Sequence, residues 1–339
     1  MTTPDVRSPR IHVGIVTYGD RGALLERVLD ALEGLDGREA IDHIHVVDNA
    51  SSLGTRERLR ARCERDARLV HHPLPRNVGS AGGVRHLIDR LLQEGNFDAV
   101  WLLDDDNVPE PGALTALLDA WSQDGERDAT ALASVRVDRP AHARRVSGAT
   151  VRATYGSRSS FLGFHVLDVV PKIVRRMAGR TNDVPGRLPI PYAPYGGLFV
   201  PAALLRRVDP PDPAFFTYAD DTDFTFRLRE TGGTLDLVRD SRIRDVDASW
   251  DAAMRLPLPV RLVRGESVER VAYMVRNTAF FSRHRWRTHA GWYALNRMVF
   301  LAMVSVSALV SGRPARLALL LRAVRAGERG ALHVDPTEH

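Results

Sequence analysis

The sequence predicts an α/β fold, a mostly parallel sheet with helices on both faces, followed by a helical C-terminal region. Three observations predict it. β-rich runs alternate with amphipathic helical stretches over the first 125 or so residues, the rhythm of βαβ units. Thr17, Asp48 and Asp104 fall at the carboxyl ends of three of those runs, where open parallel sheets bind ligands. Beyond residue 266 the pattern is helical throughout.

The elements follow in order. Residues 11–17 form a first strand, and 21–35 a helix with Leu24, Leu25, Val28, Leu29 and Leu32 on one face. Residues 43–47 form a second strand, 51–62 a helix, 68–71 a short strand and 80–93 another helix. Residues 99–103 form a strand that ends on three aspartates, and 110–121 a helix with Pro111 near its first turn. From 136 to 190 the periodicity dissolves into Gly, Arg and Pro, around one amphipathic basic piece, VLDVVPKIVRRMAGR. PYAPYGGLFVPAALLR restores a loop, a strand and a helix, and helix 221–231 and a strand at 234–238 follow. Helices at 268–281, 291–310 and 315–326 complete the chain.

Composition narrows the function. Of 339 residues 44% are hydrophobic and 26% charged, the balance of an ordinary globular protein. The single cysteine, Cys63, excludes an intramolecular disulfide and suits a reducing compartment. Residues 1–10 are polar and the first apolar run reads as a strand, so no secretory signal is expected. The net charge of +5 comes almost entirely from arginine, with Lys172 the one lysine, a compositional habit more than a nucleic-acid device. Basic residues are concentrated late: fourteen arginines against three acids lie between Arg255 and Arg329.

Four motifs carry chemistry. In WLLDDDN the outer carboxylates of Asp104, Asp105 and Asp106 can converge on one hard cation, Mg²⁺ or Mn²⁺; a bare acidic run is more readily a capping or solvated turn, and the strand before it and the neighbouring motifs reverse that balance. In HVVDNASS, Asp48 at a strand end suits a nucleoside base or ribose, or simply an N-cap. In RNVGSAGG, glycines at a helix N-terminus permit close approach of an anion, to which Arg76 adds a phosphate contact. In FFTYADDTDFTFRLRETGG, Asp220 and Asp221 open a helix, as a dipole-stabilised acidic turn or as a general base.

Taken in order, IVTYGDR, VVDNAS, RNVGSAGG, LLDDDN and ADDTDFTFRLRETG resemble the inverting family 2 glycosyltransferases of GT-A fold, over about residues 10–285. GGLFVP, ADDTDF and YMVRNTAFF look most like bacterial galactofuranosyltransferases of cell-wall assembly, with rhamnosyltransferases close behind. The resemblance implies a GT-A domain over 1–265, with a donor half at 10–135, an acceptor half at 190–250 and an insertion at 136–190. It implies a nucleotide-sugar site at Thr17, Tyr18, Arg21, Asp48, Arg76, Asn77, Gly82, Asp104 and Asp105, and a metal, Mn²⁺ or Mg²⁺, on Asp104, Asp106 and Asp245. Asp221 would be the base and Asp220 its neighbour. The sequence departs from the galactofuranosyltransferase pattern in placing Asp245 where those enzymes carry a histidine ligand, and most of the twelve histidines read as surface or packing residues.

The implied reaction is transfer of a sugar from a nucleotide-sugar donor to a polyprenyl-diphosphate-linked glycan. Trp286, Trp292, Tyr293 and the run 298–310, with the arginines after it, suit a basic amphipathic region lying in an anionic membrane surface. They suit a helical core equally. A cytoplasmic protein peripheral on the inner face of the cell membrane is the expected arrangement. A sugar nucleotidyltransferase is the rival in another class, but IVTYGDRGALL is a poor match to its Gly-rich signature. An inactive scaffold has no reason to keep Asp104, Asp106, Asp220 and Asp221 together. Nucleic acid is not an expected partner, since no reader motif appears.

Overall fold

The structure is a computed structural model that describes residues 9–125, 127–168, 184–247, 256–265, 267–333 and 336. The strands are β1 (Ile11–Thr17), β2 (Ile41–Asp48), β3 (Leu69–Pro73), β4 (Ala99–Asp104), β5 (Asn107–Pro109), β6 (Thr130–Arg136), β7 (Arg187–Pro189), β8 (Leu198–Pro201) and β9 (Thr234–Asp245). Helices α1 (Gly22–Glu33), α2 (Leu53–Cys63), α3 (Gly79–Glu94) and α4 (Ala113–Ser122) alternate with the early strands. Short helices α5 (Pro140–Val146), α6 (Val151–Tyr155) and α7 (Ala202–Leu205) precede α8 (Asp220–Glu230). The chain closes with α9 (Leu258–Arg264), α10 (Val268–His284), α11 (Ala290–Val310) and α12 (Pro314–Arg329).

One mixed sheet runs β3-β2-β1-β4-β8-β6-β9-β5, with β7 also on β9. β3, β2, β1 and β4 are parallel, β8 is antiparallel between β4 and β6, and β6 is parallel to β9. Apolar side chains fill both faces, around Trp101 and Phe199 on one and Leu87, Leu102 and Phe224 on the other. That is the layered α/β arrangement expected from the strand–helix rhythm.

Tertiary context revised three elements. Residues 130–136 form a central, wholly buried strand where no strand was expected. Their small side chains give TALASVR little β signal, and pairing with β8 and β9 decides the matter. The helix expected from 110 begins at Ala113, because residues 107–109 are drawn into the sheet beside β9 and the Glu110 amide bonds the Arg242 carbonyl. β9 runs seven residues past the predicted 238, held by β6 on one side and β5 on the other. This extension sets Asp245 opposite Asn107, next to the three aspartates.

The C-terminal helices share a third apolar cluster, which includes Phe161, Val275, Phe300, Val304 and Val324. Part of the 136–190 region docks there. Trp286 Nε1 donates to the Ser157 carbonyl at 2.9 Å, and Asn296 donates to the Ser159 carbonyl and accepts from the Val166 amide. Most of the basic piece VLDVVPKIVRRMAGR, residues 169–180, lies outside the described residues.

Candidate active site

The carboxyl ends of β1, β4, β6 and β9 meet at one acidic centre. Asp105 is buried: Thr17 Oγ1 donates to its Oδ2 at 2.7 Å, and Arg21 Nε to its Oδ1 at 2.8 Å. The same Arg21 donates to Asp106 Oδ2 at 2.7 Å and to Asp247 Oδ2 at 2.9 Å. Arg136, at the end of the unforeseen strand β6, is itself buried and joins Asp104 to Asp245. Asn107 Nδ2 donates to Asp106 Oδ1 at 3.0 Å and to Asp245 Oδ1 at 2.7 Å. A Cβ at Gly196 would collide with Asn107, Asp104 and Arg136, so the first glycine of GGLFVP is what lets the chain pass this cluster.

The electrostatics are those of an acidic site only partly neutralised. Asp104, Asp105, Asp106, Asp138, Asp245 and Asp247 pair with Arg21, Arg136 and Arg139, six carboxylates to three guanidinium groups among these residues. Burial pushes the Asp105 carboxyl up to about 7 against the pull of Arg21, and Asp245 up to about 6 against that of Arg136. Asp106 is raised as well, by burial and then by Asp104. Asp104 remains the open member, its side chain 41% exposed. A surplus of hard oxygen donors facing solvent through Asp104 fits a hard divalent cation.

On the far side of this centre the three aspartates at the start of α8 take separate roles. Asp220 is buried and accepts from Ser80 Oγ at 2.9 Å, while Asp223 is tied to Arg227 and Arg285. Asp221 is half-buried, with its Oδ1 bonded to the Thr222 amide, and it senses Asp104 and Arg136. Burial and its neighbour Asp221 push Asp220 up to about 8, and burial raises Asp221 as well. Placing the proton on the enclosed Asp220 leaves Asp221 as the ionised member facing the acidic centre.

The chain reaching α8 is strained. Phe216 (φ 61°, ψ −62°) is the centre of the rare, strained form of γ-turn, with the Thr217 amide bonded to the Phe215 carbonyl at 2.7 Å. Tyr218 and Ala219 also have positive φ. The loop is held from α10: Asn277 is fully buried, and its Nδ2 donates to the carbonyls of Phe215 (2.8 Å), Thr217 (2.7 Å) and Tyr218 (3.0 Å). Arg276 donates to Asn277 Oδ1 and to the Ala214 and Phe215 carbonyls. Opposite, the Phe216 carbonyl leaves no room for a Cβ at Gly79, whose φ of +74° also requires glycine. Arg276 and Asn277 belong to the motif YMVRNTAFF, but only the fold shows what they hold.

The remaining nucleotide-site candidates line the β1–β2–α3 side. Tyr18 is exposed, with Arg21 beside its ring. Arg21 itself is committed to carboxylates, so its part in this site is to order the aspartates. Asp48 is fully buried, bonded to the Ser51 amide, with His71 and Arg56 at its other oxygen. Burial alone would raise the Asp48 carboxyl, but Ser51, His71 and Arg56 outweigh it and hold it below the ordinary value. Asn77 accepts from Asn49 Nδ2 and from the Gly79 amide, tying the end of β2 to the start of α3. Gly82 is buried in the first turns of α3, with Val78 where its Cβ would be. Arg76 is exposed, with no ion pair among the described residues, the cation here best placed for an incoming anion. Sequence reasoning did not single out Arg136, Asn107, Ser80 or Asn277; Asn107, Ser80 and Asn277 stood inside the motifs quoted above, and Arg136 had no signal.

A mixed sheet with its acidic cluster beyond the β4 end is the GT-A glycosyltransferase fold. The glycosyl transferase family 2 model matches residues 12–179, so the chain carries a domain of that family over those residues. No curated protein matches it by sequence. Among solved structures, GalNAc-T7 with UDP, GalNAc and Mn²⁺ is similar at TM-score 0.59 and 12% identity, over 94% of this chain. This chain spans 56% of that one. The mannosyltransferase PcManGT of Pyrobaculum calidifontis, with GDP-Man and Mn²⁺, is similar at TM-score 0.51 and 16% identity, over 98% of this chain and 86% of its own.

Proposed function

We propose that this protein is a metal-dependent inverting glycosyltransferase. Its donor would be a nucleotide-diphosphate sugar, uridine-diphosphate galactofuranose first and deoxythymidine-diphosphate rhamnose second. Its acceptor would be a hydroxyl of a polyprenyl-diphosphate-linked glycan. The observation that carries the reading is the pairing of an under-neutralised aspartate centre at the strand ends with a separate, half-buried carboxylate, Asp221, on the facing helix. Asp104, Asp106 and Asp245 would hold Mn²⁺ or Mg²⁺, an assignment that accords with the Mn²⁺ in both similar structures. When bound, the cation supplies Lewis-acid stabilisation of a departing diphosphate. Thr17 and Arg21 fix Asp105, and Arg136 fixes Asp104 against Asp245, so these carboxylates need little reorganisation. Arg76 and the start of α3 offer the anion contacts. Asp221 would accept the acceptor hydroxyl's proton, and one in-line displacement needs one base.

Calorimetric titration tests this reading. Uridine and deoxythymidine diphosphates are compared with and without Mn²⁺, on the parent chain and on Asp106→Ala. Mn²⁺-dependent binding that Asp106→Ala abolishes is the expected result. A uridine preference favours galactofuranose and a deoxythymidine preference rhamnose, while binding indifferent to both Mn²⁺ and Asp106 overturns the metal assignment.

The membrane part of the proposal rests on α11. This 21-residue helix is long and apolar enough to cross a membrane, and exposes Trp292, Leu295, Met298, Val306, Leu309 and Val310. With the adjoining arginines, that surface suits an anionic interface. Removing the whole tail would also remove Asn277 and the packing of α10 on α12, so substitution is the cleaner test. Val306→Asp with Leu309→Asp should abolish co-flotation with phosphatidylglycerol vesicles. Undiminished flotation would count against this surface.

A further inference from the structure

At the other end of β1 the sheet holds a line of buried imidazoles that the aspartate centre does not use. His12 on β1, His45 on β2 and His72 on β3 are all buried, His12 with 1% of its surface exposed. His12 Nδ1 lies 3.0 Å from His45 Nε2, and His45 Nδ1 lies 3.0 Å from His72 Nε2. A neutral imidazole has one N–H and one lone pair, so the line is satisfied with all protons on Nδ1 or all on Nε2, and a cation at His12 Nε2 requires the Nδ1–H run, from His12 to His45 to His72. That assignment leaves a lone pair on His12 Nε2.

His12 Nε2 has no hydrogen-bond partner although it is buried, and neither has His43 Nδ1. The nearest carboxylate oxygen to His12 Nε2, Asp42 Oδ2, stands 3.7 Å away, beyond hydrogen-bond reach. His12 and His43 are register partners on β1 and β2, and ligand-capable atoms of His12, Asp42 and His43 all lie within 4.8 Å of one another. Two orphaned ring nitrogens beside a carboxylate are costly to bury and suit one shared cation. His12 also groups with His45 and Glu94, but there the two ring nitrogens already satisfy each other. The orphaned nitrogens therefore select the Asp42–His43 side.

We propose that His12 Nε2, His43 and Asp42 form a second metal site, for a borderline divalent cation of the zinc class. Two imidazoles and a carboxylate are a known donor set for such ions, with water completing the shell. His45 and His72 serve as outer partners: His12 passes its Nδ1–H to His45, which fixes the tautomer and the ring that faces the metal. The site clips β1 to β2 about 17 Å along the strand from Thr17, at about 3.3 Å per residue. It is independent of the aspartate centre, whose all-oxygen donors suit harder ions.

The test uses the full chain without an affinity tag, stripped by chelator and titrated with Co²⁺ while visible absorption is followed. One equivalent should bind with the intense bands of low-coordinate, nitrogen-ligated Co²⁺, be displaced by Zn²⁺, and raise the melting temperature of the unmutated protein. His43→Gln or Asp42→Asn, both at half-buried positions, should weaken binding about tenfold or more. Asp106→Ala should leave the bands in place. Absence of the bands from the unmutated chain, bands that survive both His43→Gln and Asp42→Asn, or bands lost with Asp106→Ala would each overturn the proposal.

Discussion

Asp221→Asn is expected to lower sugar transfer by about a hundred- to ten-thousand-fold, the usual worth of a positioned general base, while nucleotide diphosphate binding survives. Asparagine keeps the shape and the hydrogen bond from the Thr222 amide, so what is removed is the ability to take a proton. The pH profile sharpens the test. Burial raises the Asp221 carboxyl above its ordinary value, and the base works only when ionised. Transfer should therefore rise with pH along a limb lying above the ordinary carboxylate range, and that limb should be missing from the residual activity of the variant. If Asp221→Asn keeps full activity, the base is elsewhere. If it loses donor binding instead, Asp221 belongs to the nucleotide site.

Asn277→Ala should be nearly as damaging, by a different route. One amide group serves three carbonyls in the loop before α8, and truncation takes the donor from those of Thr217 and Tyr218, while that of Phe215 keeps Arg276 and the Thr217 amide, at a cost of about 2 kcal/mol. The same loop stores strain at Phe216, Tyr218 and Ala219, which persists only while the surroundings hold it. Without Asn277 the loop relaxes, and Asp220 and Asp221 lose their fixed position relative to Ser80 and the aspartate centre. The expected signature is a fall in kcat with little change in KM for the donor, alongside a lower denaturation midpoint. Loss of stability with kcat intact would show that Asn277 supports the fold without positioning the base.

Much of the site could be read from residue order because its parts are local. Strand-end aspartates, the Gly-rich turn at α3 and the acidic start of α8 each carry their signal within a few neighbouring residues. Arg136 carried none. It lies at the end of a strand whose small side chains gave no β pattern, and its role depends on β6 pairing with β9. Asp245 was placed in the site from the resemblance, and the long second half of β9 is what takes it there. The histidines were read as mostly surface or packing residues, and the line formed by His12, His45 and His72 exists only because β1, β2 and β3 are neighbours in the sheet.

Residue order alone specifies the class of fold, the strand ends at which charge collects and the acidic helix start proposed to carry a base, because each is written in local periodicity or in a few adjacent residues. The folded arrangement alone settles which cations meet those charges, what holds the strained loop before Asp221, and which histidines line up across the sheet. Those depend on side chains up to 226 positions apart, for which a linear pattern carries no signal.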